Sequence, residues 1–317
     1  MGKIAETRTI RNDHQKRFVK LMDSLCGSHS HWAIWKDFIT MSAISIANTV
    51  DHDRDRAGKR EKTYLTISGK YKPADMDVFA GMFAEVVLGM EETPDMDFLG
   101  ELFMNMGLSS DANGQFFTPY HVCTAMAKMT SPHDCMKNGW MSVNDPACGA
   151  GATLVAFANE CKREGINYQT DVLFTAQDID MIVAMMCYIQ LSLQGCAGYV
   201  LVGDTLSNPG TSYDKRGLFP VESDNTWFTP MYYSEVWETR RRIYIMENLL
   251  KQDMMPISEP QEEPPLVTDH QKGEPQEITL IPDAGEEQIA PKTVRLKRRA
   301  KQEEPEAVSV GEQLTFF

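Results

Sequence analysis

Apolar residues recur at helical spacing through the first third of the chain. Phe18, Leu21, Met22 and Leu25 stand at i, i+3, i+4 and i+7, and Phe79, Met82, Phe83, Val86 and Val87 repeat the stripe. Phe98, Leu99, Leu102 and Phe103 share one face of a further helix over residues 95–106. Between the first two stripes, residues 51–62 are dense in charge, contain Gly58, and read as a loop. Residues 108–114, rich in Ser, Asp, Asn and Gly, read as another. A helix then runs through Val122, Ala125, Met126 and Met129, with Thr118 in the capping position and Pro119 in the first turn.

After Trp140 the period changes. Met141 and Val143 mark a short strand, residues 144–151 a glycine turn, and Thr153 to Ala158 the start of an apolar helix. A second strand follows over residues 171–177, a long apolar helix from Met181 to Leu193, and a third strand from Tyr199 to Val202. Strand, helix, strand, helix, strand is the pattern of an α/β doubly wound parallel sheet. Residues 218–226 are too polar and broken to predict a regular fourth strand, and a last helix spans 235–251 with Trp237, Ile243, Ile245, Leu249 and Leu250. From Gln252 prolines and glutamates replace the periodicity, which predicts disorder. The expected organisation is a helical region (1–107), an α/β domain (108–251) and a disordered tail (252–317).

The polar, charged N-terminus predicts no signal peptide. The most apolar long stretch, Ile182 to Val202, is interrupted by Gln190, Gln194, Gly195 and Gly198, and reads as buried helix plus strand rather than a membrane span. Seven scattered cysteines, without a C-x-x-C pair, point to a reducing intracellular location. Cys26, His29 and His31 lie close enough to suggest a metal site, but a fourth ligand is missing and the plain reading is a polar helix end; no metal is assigned. The net charge of −14 predicts weak nonspecific affinity for nucleic acid, so any such contact needs a local basic patch or a partner.

The candidate chemistry sits at the carboxyl ends of the three strands. Asp145-Pro146-Ala147-Cys148-Gly149-Ala150-Gly151 ends the first, in a form that brings a ligand against backbone N–H groups at a helix start. No Lys follows, so this is not a phosphate loop, and it is not G-x-G-x-x-G. Asp178 ends the second strand, placed to accept from a ribose diol, and Asp204 follows the third, placed to accept from an exocyclic amine. Asp180 reads as a helix cap.

Four motifs in order, Gly114-Gln115-Phe116-Phe117-Thr118-Pro119, Asp145 to Gly151, Gln177-Asp178-Ile179-Asp180 and Gly203-Asp204-Thr205-Leu206, resemble the adenine-N6 DNA methyltransferases. Within these the resemblance is to the modification subunits of type I restriction–modification systems, and Asp97-Phe98-Leu99-Gly100 is similar to the segment before their catalytic domain. The resemblance implies a Rossmann-like S-adenosylmethionine-dependent methyltransferase sheet, shortened here, in a cytoplasmic, nucleoid-associated bacterial protein. It implies that Phe117, Thr118 and Pro119 bracket the methionine moiety, that Asp145, Pro146, Ala147, Gly149 and Gly151 hold the amino-acid part, and that Asp178 and Asp204 take ribose and adenine. The family's Asn/Asp-Pro-Pro-Tyr/Phe motif does not occur; Thr229-Pro230-Met231-Tyr232 keeps its proline and aromatic, so Thr229, Pro230 and Tyr232 stand as the catalytic candidates.

DNA and a specificity subunit are the partners this implies. The tail adds a basic cluster, Lys292 to Lys301, and ends in Gln313-Leu314-Thr315-Phe316-Phe317. Gln313, Leu314, Phe316 and Phe317 resemble the peptide that bacterial proteins dock on the sliding clamp. Two functions follow: a DNA adenine-N6 methyltransferase or a subunit of one, or an inactive S-adenosylmethionine-binding module tethered to replicating DNA.

Overall fold

A computed structural model describes residues 10–27, 29–108, 117–136, 139–212, 214–221, 223–253 and 314–315. The chain divides into one compact unit, Met1–Asn248 with Ser309–Phe317, and a second, Leu249–Val308, of which residues 249–253 are described as the end of a helix. The expected disordered tail, 252–317, falls on residues outside the described ones, apart from Gln252 and Asp253, which continue the last helix, and Leu314 and Thr315, which form a short strand.

Five helices come first: α1 (Asp13–Ser24), α2 (His31–Val50), α3 (Arg54–Ser68), α4 (Pro73–Glu92) and α5 (Phe98–Asn105). The stripes read from sequence face inward. Phe18 is fully buried, with its ring edge-on to Trp35 at 5.7 Å and Phe38 at 5.0 Å. The charged run 51–62 is not a loop. Asp53 caps α3 by accepting from Asp55 and Arg56, and Gly58 lies inside the helix. The stabilising contacts are tertiary: Arg56 and Arg60, one turn apart, both pair with the buried Asp51 at 2.7 Å. Their guanidiniums lie over the rings of Phe228 and Trp227, at 5.2 and 3.9 Å.

The α/β part follows as α6 (Tyr120–Met129), a single turn α7 (Pro132–Cys135), β1 (Met141–Asp145), α8 (Ala152–Arg163), a single turn α9 (Tyr168–Asp171), β2 (Val172–Asp178), α10 (Met181–Leu193), β3 (Ala197–Val202), β4 (Thr226–Phe228), α11 (Glu235–Asp253) and β5 (Leu314–Thr315). The sheet order is β4-β3-β2-β1-β5. β1, β2 and β3 are parallel in Rossmann-like succession, with Asp145 opposite Ala176 and Asp178 opposite Val202. β4 is antiparallel to β3, and β5 pairs in parallel with Val143 and Asn144 of β1. Apolar on every face, α10 is buried from Ile182 to Leu191. One continuous core runs from Ile10 through α2, α5 and α10 to Trp227, so the helical region and the sheet share their hydrophobic interior, without a boundary at residue 107. Among the described residues no helix is long and apolar enough to cross a membrane.

Candidate functional site

The turn after β1 is built by its two glycines. Gly149 has φ 54° and Gly151 has φ 94°, backbone conformations that L side chains rarely adopt. A Cβ on Gly151 would stand 2.8 Å from the Cys187 sulfur, so the turn is pressed directly onto α10. The first intrahelical bond of α8 runs from Val155 N–H to Gly151 carbonyl at 2.9 Å. The N–H groups of Ala152, Thr153 and Leu154 therefore precede the helical ladder, at the positive end of the helix.

Asp97, Phe117, Thr118, Asp145, Ala147, Cys148, Gly149, Ala150, Ala152 and Thr153 line a cavity of about 70 Å³ over this turn. Phe117 and Thr118, distant in sequence, are thus brought against Asp145 and Gly149. The ring of Phe117 stands over Gly149 and stacks on Phe103 at 5.7 Å. Thr118 is not the helix cap expected from sequence; α6 starts at Tyr120 with Pro119 in the cap position and no side-chain cap bond. Pro119 lines an adjoining open cleft instead, with Tyr120, His121 and Glu101. Gly114, Gln115 and Phe116 lie outside the described residues.

The acids at the strand ends differ in what holds them. Asp145 is buried; one oxygen accepts from Ala147 N–H at 3.1 Å and the other from the Thr153 hydroxyl. Asp178 accepts from Gly149 N–H and Asp180 N–H, both at 2.9 Å, tying the end of β2 to the glycine turn. Burial pushes both carboxyls above the ordinary carboxylate range. Asp204, just past the end of β3, is exposed, and Leu206 N–H and then the Ser207 hydroxyl hold its carboxyl below that range. Pro146 takes part through its carbonyl, which accepts from the Thr205 hydroxyl at 2.5 Å. Asp180 caps α10, as the sequence predicts. A hydrogen bond to Cys187 and burial push the Cys148 thiol well above the ordinary thiol range.

Two polar residues to which the sequence reading gave no role brace this cavity. Asp97, buried on the cavity wall, accepts at 2.9 Å from Gly100 N–H and at 2.8 Å from the Gln190 amide. Gln190 is fully buried and also donates to the Ala150 carbonyl at 2.8 Å while accepting from Leu99 N–H at 3.1 Å, so it joins α5, the glycine turn and α10. A lone glutamine in an apolar helix was a signal only as the break that argued against a membrane span. Ile179 and Leu206, next to Asp178 and two residues past Asp204, are 73% and 96% exposed.

The catalytic candidates lie elsewhere. Because β4 runs antiparallel to β3, Thr229 returns to the amino end of β3, whereas Asp204 follows its carboxyl end. Thr229 is fully buried; its hydroxyl donates to the Cys196 carbonyl at 2.7 Å and accepts from Gly198 N–H at 3.0 Å. Pro230 opens a 3-10 turn, Pro230–Tyr233. Tyr232 is buried, donates to the Leu218 carbonyl at 2.8 Å, and packs against Phe228 and Tyr199. The structure does not bring Thr229, Pro230 and Tyr232 to the carboxyl ends of β1, β2 and β3, where Asp145, Asp178 and Asp204 stand. The antiparallel reversal, invisible in local spacing, is the reason.

No curated protein is significantly similar in sequence to this chain. A crystal structure from Listeria monocytogenes, described as a class I S-adenosylmethionine-dependent methyltransferase, aligns with 74% of this chain and 80% of its own at 12% identity and a TM-score of 0.35. The family model described as N-6 DNA Methylase matches residues 97–247, the span from the Asp97 cavity wall through the glycine turn and all three acid-bearing strand ends into the last helix.

Proposed function

We propose that this chain holds S-adenosylmethionine at the carboxyl ends of β1, β2 and β3 and acts in adenine-N6 methylation of DNA, as the methyltransferase or a subunit of one. The observation that carries the reading is the joining of Phe117, Thr118, Asp97, Asp145 and the Gly149–Gly151 turn around one cavity, inside the span that matches the N-6 DNA methylase family. The cavity suits the cofactor's chemistry. Two carboxylates and no Lys or Arg line it, which fits a cationic ligand without phosphate. The N–H groups at the start of α8 suit the carboxylate of its amino-acid end.

When bound, S-adenosylmethionine supplies an electrophilic methyl group on a sulfonium. The residues of this chain bind and orient. Asp97 and Asp145 offer negative charge, and Phe117 covers the turn and limits access of water. Asp178 retains lone pairs for the ribose hydroxyls beyond its bonds to the turn. Asp204 takes the exocyclic amine, with Ile179 and Leu206 as apolar walls beside the ring.

Calorimetry with S-adenosylmethionine tests the site. Asp145→Ala and Asp178→Ala should each abolish measurable binding while Asp204→Ala weakens it; unchanged binding in the first two removes the reading. Transfer of labelled methyl to DNA, with and without a specificity subunit, tests the reaction.

The burial of Thr229 and Tyr232 away from the crevice favours a second reading, an inactive cofactor-binding module acting through its tail. There Gln313, Leu314, Phe316 and Phe317 dock on a sliding clamp, with the Lys292–Lys301 cluster touching DNA phosphates. Deleting residues 313–317 should then abolish clamp retention in a pull-down, and no combination of DNA and partner should accept methyl label.

A further inference from the structure

Outside the cofactor crevice, one cluster of metal-ligating side chains stands out among the described residues, where α1 ends and α2 begins. Asp23 lies in the last turn of α1, Cys26 in the connecting turn, and His31 is the first residue of α2. One ligand atom from each, a carboxylate oxygen, the thiol sulfur and an imidazole nitrogen, lie within 4.8 Å of one another. His29, which sequence spacing groups with Cys26 and His31, instead sets its ring against Tyr71 at 4.7 Å. The tertiary structure thus replaces a histidine by an aspartate that the linear pattern does not single out.

We infer that Asp23, Cys26 and His31 form a three-ligand site for a divalent transition metal of the zinc class, with water completing the tetrahedron. The ligand set is chemically selective. Thiolate, imidazole and carboxylate together suit zinc and its borderline-soft neighbours, whereas calcium and magnesium prefer oxygen alone. The spacing is right to within a small closure, since tetrahedral zinc at about 2.0–2.3 Å from each ligand holds them roughly 3.3–3.8 Å apart. His31 Nε2 and Asp23 Oδ1 are 2.8 Å apart now and would open slightly, while the thiol draws in. Access exists, because the Asp23 side chain is 44% exposed and that of His31 23%.

Local helix electrostatics do not account for these residues. A carboxylate in the last turn of α1 and an imidazole at the start of α2 each occupy the end that the macrodipole disfavours for their charge. Without metal, the Asp23–His31 pair holds two of the groups and the Cys26 thiol donates to the Met22 carbonyl at 3.5 Å; what points to a cation is that the carboxylate, thiol and imidazole all converge within 4.8 Å. Bound there, the metal would clip α1 to α2 across a short turn, and its binding energy would appear as stability of the helical region.

The test uses the full chain, reduced and stripped with chelator, then titrated with Co²⁺ and with Zn²⁺. One equivalent of Co²⁺ should raise a thiolate-to-cobalt charge-transfer band with tetrahedral d–d absorption, and Zn²⁺ should displace it and raise the melting temperature reversibly. Cys26→Ser should abolish the band, and His31→Gln or Asp23→Asn should weaken affinity about tenfold or more. Cys135→Ser, at the other half-buried thiol, should leave the spectrum unchanged. Absence of a stoichiometric thiolate band, or its persistence in Cys26→Ser, overturns the assignment. Where Cys26→Ser fails to fold by circular dichroism, an unaltered cobalt affinity in His31→Gln overturns it equally.

Discussion

Asp97 and Asp145, far apart in the chain, line the same small cavity, and burial raises the pKa of both. A cationic ligand favours their ionised forms, so binding must release whatever proton either holds. The sign follows directly. If these carboxyls meet the cation as proposed, affinity for S-adenosylmethionine should be full above the raised carboxyl range and fall as pH drops through it, by about tenfold per unit for each proton released. Calorimetry in buffers of different ionisation enthalpy should show proton release that grows toward acid pH; a flat profile would mean the carboxyls do not meet the cation. At the same scale, Gly151→Ala must adopt φ 94° and push against Cys187. It should cost about 2 kcal/mol or more in chemical denaturation, and weaken cofactor binding with it. The glycines and three of the strand-end acids were legible in sequence because their motifs are local. Asp97 and Gln190 were not assigned roles, since a polar residue's role in a core depends on which partner the fold sets within hydrogen-bonding distance.

α3 shows how an element can be misread. Its apolar content is too low for a periodic stripe, and its buried residues include two arginines, Arg56 and Arg60. Their carboxylate partner Asp51 precedes the helix, and the Thr226 carbonyl, which accepts from Arg60 at 2.7 Å, lies on β4. Taking away Asp51 leaves two buried guanidiniums without a counter-charge. Asp51→Ala should therefore destabilise by about 3–5 kcal/mol, whereas converting all three residues to apolar ones of similar volume should recover most of the loss. Thermal and urea unfolding of the single and triple variants give that comparison. β4 repeats the lesson for function. The tripeptide Thr229-Pro230-Met231 before Tyr232 fits a motif by composition, yet antiparallel pairing carries it to the amino end of β3.

Across the whole molecule, the two edges of the sheet are finished by different means. Beyond β4, Arg60 donates to the edge carbonyl of Thr226 and α3 lies alongside. Beyond β1, the chain's own Leu314–Thr315 adds a parallel strand, so residues proposed as a docking peptide contribute backbone to the sheet. Docking on a clamp and pairing with β1 therefore compete for the same short segment. Removing residues 309–317 should raise amide exchange in β1 while leaving S-adenosylmethionine affinity intact, because the residues proposed to hold the cofactor lie on the other side of β1 toward β2 and α8. Hydrogen-exchange mass spectrometry on full and truncated chains checks this, and equal protection of β1 in both would remove the pairing.

By itself, the sequence determined the α/β class, the succession of parallel strands and the positions of the glycine turn, Asp145, Asp178 and Asp204. These depend on local periodicity and on residue types with narrow backbone roles, which any window of the chain displays. Only the tertiary structure decided that α3 is helical on buried charge, that Asp97 and Gln190 brace the glycine turn, that Thr229 and Tyr232 stand away from the carboxyl ends of β1, β2 and β3, and that Asp23 joins Cys26 and His31. Each of these rests on a partner far along the chain or on the direction of a strand, and neither distance in space nor strand polarity is written in neighbouring residues.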